Sequence, residues 1–294
     1  VRRPVRLGNG QTLWMAGVAN VATLPDYRGR GYASQLLADL HAVMDSEDFA
    51  FGLLFTGIHD FYERHGWERL PLPLYEATPA PVDIAGWRFR TAAPDDLPAI
   101  QRWYAAFYAD HPLTVQRDDA YWRLWTRWED PKWRNKFYLA EDARGTARGY
   151  LALETHYETD AQGNRAVSAI SVGELGCAPD DTAATRMLIG FASQTALAAN
   201  ASLHLFLPET DIERFVRPLL PDVHWIGNHG AMVRVSNWEI FYEADIAQRG
   251  VSMSQSVALA LLLGLPAPEN TPLSPELRRR YPVRPACYSP VDSF

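Results

Sequence analysis

The stretch Val21-Ala22-Thr23-Leu24-Pro25-Asp26-Tyr27-Arg28-Gly29-Arg30-Gly31-Tyr32-Ala33 gathers the residue types that bind an anion. It reads as a strand, a proline-ended turn and a glycine-bearing loop that opens a helix. At such a start the first backbone N–H groups have no intrahelical partner, and the helix dipole places about half a positive charge there. A pyrophosphate fits that position without a metal. Gly29 and Gly31 remove the Cβ atoms that would hold phosphate off the backbone, and Arg28 and Arg30 offer charge-assisted hydrogen bonds. The bland alternative is an ordinary glycine turn with solvated arginines. The segment carries neither G-x-G-x-x-G nor G-x-x-x-x-G-K-[ST], so a dinucleotide site or a P-loop has no basis in it.

The flanking pattern must supply the frame for this loop. Val5 to Leu7 and Leu13 to Leu24 are strand-like, and Gly8-Asn9-Gly10 between them is a hairpin turn signal. After the loop, Ala33, Leu36, Leu37, Leu40, Val43 and Met44 recur at helical spacing on one face, which predicts an amphipathic helix from Gly31 to Met44. Phe49 to Phe55 is a short apolar strand, Ile58 to His65 a short helix, and Trp67 to Tyr75 a strand interrupted by Pro71 and Pro73. The expected order is β-β-α-β-α-β.

Pro79 and Pro81 frame a linker, after which Trp87 to Arg90 reads as a strand and Ala93-Pro94-Asp95-Asp96 as a helix start with Asp at the cap. That helix runs to about Tyr108, and a Trp-rich helical stretch follows with Tyr121, Trp122, Trp125, Trp128 and Trp133. Strands are expected at 136–141, 149–157, 167–176 and 202–207, and a helix at 182–199. The aromatic cluster suits a buried structural role, with a pocket or interface as the alternative. From Asn237 the pattern weakens into an apolar helix at 254–264, a Pro-rich segment, Arg278-Arg279-Arg280 and a tail ending at Phe294.

With 294 residues, of which 47% are hydrophobic and 21% charged, the chain is globular and long enough for two domains. A formal net charge of -7 gives no general attraction to nucleic acid or an anionic membrane and favours a cationic substrate. Cys177 and Cys287 are too few for a disulfide scaffold or a Cys-based zinc site; they read as isolated buried thiols of a cytoplasmic protein. The longest apolar run, Val257 to Leu265, is far short of the ~20 residues a membrane span needs.

Arg28, Gly31 and Ala33 form an R-x-x-G-x-A match behind Val21-Ala22-Thr23-Leu24-Pro25, and Phe61-Tyr62-Glu63-Arg64-His65-Gly66-Trp67 follows on the next helix and strand. In both motifs and in their spacing the chain resembles the GCN5-related N-acetyltransferase (GNAT) superfamily, whose acetyl-CoA loop has the form [QR]-x-x-G-x-[GA]. The resemblance implies a mixed α/β fold of two tandem GNAT-like domains, each a mostly antiparallel mixed sheet flanked by helices, followed by a short C-terminal element. It implies acetyl-CoA as co-substrate and transfer of its acetyl group to a primary amine, with no metal. The backbones of Val21 and Thr23 would pair with the pantetheine arm, and Arg28, Gly29, Arg30, Gly31, Tyr32 and Ala33 would hold the pyrophosphate. Tyr62 would be the acid that protonates the departing thiolate, a task a phenol can perform near neutral pH; as a lone residue it could equally be a packing anchor. Local candidates for the base are His59, Asp60 and His65.

A finer resemblance is to the Eis-type acetyltransferases, in which the terminal carboxylate enters the active site. It brings Phe294 forward as a catalytic candidate, and it implies a hexameric oligomer and a small cationic amine, aminoglycoside- or polyamine-like, with a peptide or lysine amine as the alternative. Here the sterol-carrier-like domain of that group is abbreviated to residues 237–294, and the helices that precede the hairpin in the family are missing, so the first domain is expected to be N-terminally truncated. The expected division is 1–78, 79–236 and 237–294. In the second unit, Cys177-Ala178-Pro179-Asp180-Asp181-Thr182 stands where a cofactor loop would be, with two carboxylates in place of arginine and glycine. Like charges repel there, so that unit is expected not to bind CoA. A non-catalytic acyl-CoA-binding protein and an interaction protein without ligands are the competing readings.

Overall fold

The computed structural model describes residues 1–6, 12–70, 72–109, 111, 113–126, 136–227 and 230–237. The hairpin turn at Gly8-Asn9-Gly10, Trp128, Trp133, Cys287, Phe294 and the rest of the C-terminal element lie outside them.

In chain order the strands are β1 (Arg2–Arg6), β2 (Thr12–Val18), β3 (Phe49–Phe55), β4 (Glu68–Arg69), β5 (Tyr75–Ala77), β6 (Arg88–Thr91), β7 (Thr114–Val115), β8 (Phe137–Glu141), β9 (Ala147–Thr159), β10 (Arg165–Cys177), β11 (Ser202–Leu205), β12 (Val223–Trp225) and β13 (Ala231–Val235). The principal helices are α1 (Tyr32–Ser46), α2 (His59–Glu63), α3 (Leu97–Phe107), α4 (Asp119–Thr126) and α5 (Thr182–Ala198). Among the described residues the strands form two mixed sheets, ordered β4-β13-β3-β2-β1-β7 and β12-β5-β11-β10-β9-β8-β6. In each, one parallel pair (β2 with β3, β10 with β11) sits among antiparallel neighbours.

The sheets exchange strands. The interrupted segment after Trp67 yields β4, which pairs with β13 in the first sheet, and β5, which pairs with β11 and β12 in the second. In return β7 lies on β1, and β13 returns from near residue 230 to β3. The central strand β3, Phe-Ala-Phe-Gly-Leu-Leu-Phe, is buried along nearly its whole length, as a strand covered on both faces must be.

Two local expectations are corrected. The strand expected to run to Leu24 ends at Val18; Asn20 follows with φ of 57°, a left-handed conformation that no strand continues through. On α1, Leu37 and Met44 are fully buried, whereas Leu36 and Val43, expected on the same face, remain 54% and 47% exposed. The core stripe is therefore narrower than the apolar periodicity.

Candidate active site

Parallel β2 and β3 pair, with one register shift between Trp14 and Met15, as far as Val18 opposite Leu54 and then part. Among the described residues the backbone of Val21 and the N–H of Thr23 have no hydrogen-bond partner. Pro25–Tyr27 forms a single 3-10 turn, closed by Tyr27 N–H donating to Leu24 O at 2.9 Å. Gly29 and Gly31 then take φ of 73° and 81°, and Gly31 is the N-cap of α1. No atom lies within 4 Å of where a Cβ would stand on either glycine, so the loop faces open space.

The start of α1 carries neither a side-chain cap nor an acidic residue in its first turn. Its leading amides and dipole end are thus left for an external acceptor. Arg28 donates through Nε to Thr23 O at 3.2 Å, and Arg30 through one terminal nitrogen to Asp26 O at 3.0 Å while lying 5.2 Å over the ring of Tyr27. Each exposed guanidinium keeps further N–H donors. Beside the loop, Ala22, Thr23, Leu24, Tyr27, Tyr32, Ala33 and Leu36 line a hollow of about 420 Å³.

Tyr62 stands on α2, 7% exposed, in a cluster with Val18, Leu37, Leu54 and Trp67 against which Val21 also packs. The fold therefore brings Tyr62 to the place where β2 leaves β3. Its ring meets Phe61 edge-on at 5.0 Å and Trp67 at 6.3 Å. Burial raises its pKa, which keeps the phenol protonated at neutral pH. So both readings of Tyr62, packing anchor and proton donor, are compatible with its position.

The other local candidates are dispersed. His65 Nε2 hydrogen bonds with Ser34 Oγ at 3.1 Å, on the first turn of α1. Asp60 is a surface carboxylate 3.9 Å from Arg69, and His59 is the first residue of α2. His41, which the sequence pattern did not single out, accepts the indole N–H of Trp67 through Nε2 at 3.0 Å. Its pKa is lowered to about 4, by burial first and by the Arg234 cation second. A lone histidine on an amphipathic helix carries no sequence signal of such a partner.

The corresponding loop of the second sheet is built differently. Between β10 and α5, Asp180 takes φ of 62°, and Asp181 caps α5 by accepting from Ala184 N–H at 3.0 Å. Arg148 holds the same carboxylate at 2.7 Å. The cap uses a leading amide that a phosphate would need and sets a negative charge beside it. Cys177, the last residue of β10, is a buried thiol, its pKa pushed up by burial. Among the described residues, no group of three or more His, Cys, Asp or Glu is placed to hold a metal, and no helix is long and apolar enough to cross a membrane.

Residues 2–70 match the family model of the acetyltransferase (GNAT) domain. This segment is a GNAT acetyltransferase domain. Its motif loop, α1, β3 and α2 all fall within the matched range. No curated protein matches the chain. Among solved structures, the fold is similar to a probable N-acyltransferase of otherwise unknown function from Enterococcus faecalis, at 18% identity and a TM-score of 0.57 over 81% of this chain and 58% of that one. It is similar to a GCN5-related N-acetyltransferase from Anabaena variabilis, at 17% identity and a TM-score of 0.53 over 81% and 59%. Eis1 from Mycobacterium abscessus aligns at 21% identity and a TM-score of 0.54 over 83% and 62%. The chain thus spans less than two thirds of the length of these structures, with which its GNAT domain shares a fold.

Proposed function

We propose that the protein is an N-acetyltransferase that moves the acetyl group of acetyl-CoA to a primary amine. The observation that carries this reading is the uncapped, Cβ-free start of α1 at the point where β2 and β3 part. It offers amides and two arginines to a pyrophosphate, while the unpaired backbone of Val21 and the N–H of Thr23 offer a strand edge to the amide-bearing pantetheine arm. Acetyl-CoA supplies the activated acyl carbon. The chain's task is to hold that carbon beside the amine and to return a proton to sulfur as the C–S bond breaks. Tyr62, with its raised pKa, supplies that proton.

The acceptor is a small cationic amine of the aminoglycoside or polyamine kind. The net charge of -7 supports this over an acidic or nucleic-acid partner; a lysine side chain is the alternative. The tandem reading places cofactor binding in residues 1–78 and gives the second unit, 79–236, no CoA site. The Asp181 cap supports that division of labour. A cytoplasmic location and a hexameric assembly complete the reading. Its test is a titration with acetyl-CoA followed by turnover against a panel of primary amines. Acetyl-CoA binding with acetylation of a cationic amine is the expected result. Binding without turnover of any amine would favour a non-catalytic acyl-CoA-binding protein, and no binding an interaction protein.

A further inference from the structure

Helix α1 is tied to the segment that carries Tyr62 at two places. In its first turn, Ser34 Oγ and His65 Nε2 hydrogen bond at 3.1 Å. Further along, His41 Nε2 accepts the indole N–H of Trp67 at 3.0 Å. Ser34 lies one turn past the glycine that opens the phosphate cradle, and His65 one turn past Tyr62. At about 1.5 Å rise per residue, Ser34 and His41 are about 10 Å apart along the helix axis. One hydrogen bond between two elements is a pivot; two bonds this far apart also stop rotation and sliding.

The surroundings make both ties stiff. Trp67 is almost fully buried, wedged against β3 so closely that a Cβ on Gly52 would stand 2.7 Å from its ring and 2.6 Å from the Met44 methyl. The His65 ring meets Phe61 edge-on at 5.0 Å, so its orientation toward Ser34 is set from the side. Leu37, between the two ties on α1, packs in one cluster with Tyr62 and Trp67.

We infer that His65 and His41 are positioning residues that hold the cradle helix α1 and the Tyr62 helix α2 as one rigid unit. The role rests on the acetyltransferase reading. It assigns the two rings no contact with substrate: one end of acetyl-CoA is fixed by α1 and the other meets Tyr62, and a shift of one helix against the other would part the phenol from the sulfur. Misplacement by about 1 Å can cost up to about 100-fold in rate.

The test uses the full chain, with acetyl-CoA titrated calorimetrically and kcat and KM measured on a primary amine that the wild type acetylates. Ser34→Ala and His65→Leu should lower kcat by about tenfold. The KM and affinity for acetyl-CoA should stay near wild type, because the cradle itself is untouched. Ser34→Thr, which keeps the hydroxyl, should restore kcat. A kcat unchanged in Ser34→Ala, a loss that Ser34→Thr does not repair, or a fall in binding stoichiometry parallel to the fall in kcat would overturn the positioning role. The last of these would mean only that less protein folds. A wild type that binds no acetyl-CoA overturns the acetyltransferase reading and the positioning role with it. A wild type that binds and turns over while Ser34→Ala matches it overturns the positioning role alone.

Discussion

The side chains of Arg117 and Glu174, both wholly buried, meet through two N–H···O bonds of 3.2 and 2.6 Å where the two sheets adjoin. Arg117 follows β7, the strand that the first sheet gains at β1, and Glu174 lies in β10 of the second sheet. The Tyr150 hydroxyl donates to the same carboxylate at 2.6 Å, and the guanidinium lies 4.1 Å over Tyr104 and 4.7 Å over Trp122. Glu174→Gln takes this carboxylate's charge away from a buried guanidinium and should destabilise the chain by about 3–5 kcal/mol. A urea unfolding midpoint that drops accordingly checks this. Replacing both partners, as Arg117→Met with Glu174→Leu, should cost clearly less than the single change.

His41 makes stability depend on pH in a definite direction. Its folded pKa of about 4 lies below the ordinary value of 6.5. Between the two values the unfolded chain binds the extra proton, so this contribution is complete above pH 6.5 and is lost as pH falls toward 4. The ring keeps solvent contact, which reduces the effect to about 1 kcal/mol. His41→Gln retains an acceptor for the Trp67 indole without titrating. Its melting temperature should therefore fall less steeply over that window than that of the wild type; parallel curves would contradict the assignment.

Tyr62→Phe removes only a hydroxyl that has no protein partner among the described residues. Folding and acetyl-CoA affinity should hardly change. Turnover should fall by about 10²–10⁴-fold, the range for losing a general acid. Steady-state kinetics alongside calorimetry separate the two, and an unchanged kcat would leave Tyr62 as a packing residue.

Much of the backbone geometry around Gly29 and Gly31 was legible because it is local. A proline-ended turn, glycines at positive φ and the start of α1 are set by neighbours along the chain, and the short helix of Tyr62 follows from an equally local pattern. The end of β2 at Val18 was not legible, since Asn20 breaks an apolar run that otherwise reads as a continuous strand. Nor was the exchange of β5, β7 and β13 between sheets: a short alternating segment shows that it is a strand but not which distant strand it pairs with. The burial of Leu37 but not Leu36 on α1 depends on that same tertiary context. The His41–Trp67 bond joins two residues whose types are common in plain packing roles, so only their meeting in space reveals it.

If the start of α1 binds the pyrophosphate of acetyl-CoA, Gly31→Asp should abolish that binding. The new side chain has room, with no atom within 4 Å, so the expected folding cost is the strain of a non-glycine residue at φ of 81°, about 1 kcal/mol. Its carboxylate, however, stands at the proposed phosphate position. Calorimetric titration should show acetyl-CoA binding to the wild type and none to a Gly31→Asp protein that remains folded. Equal affinity in the two, or no binding to the wild type, would contradict a pyrophosphate site at the start of α1.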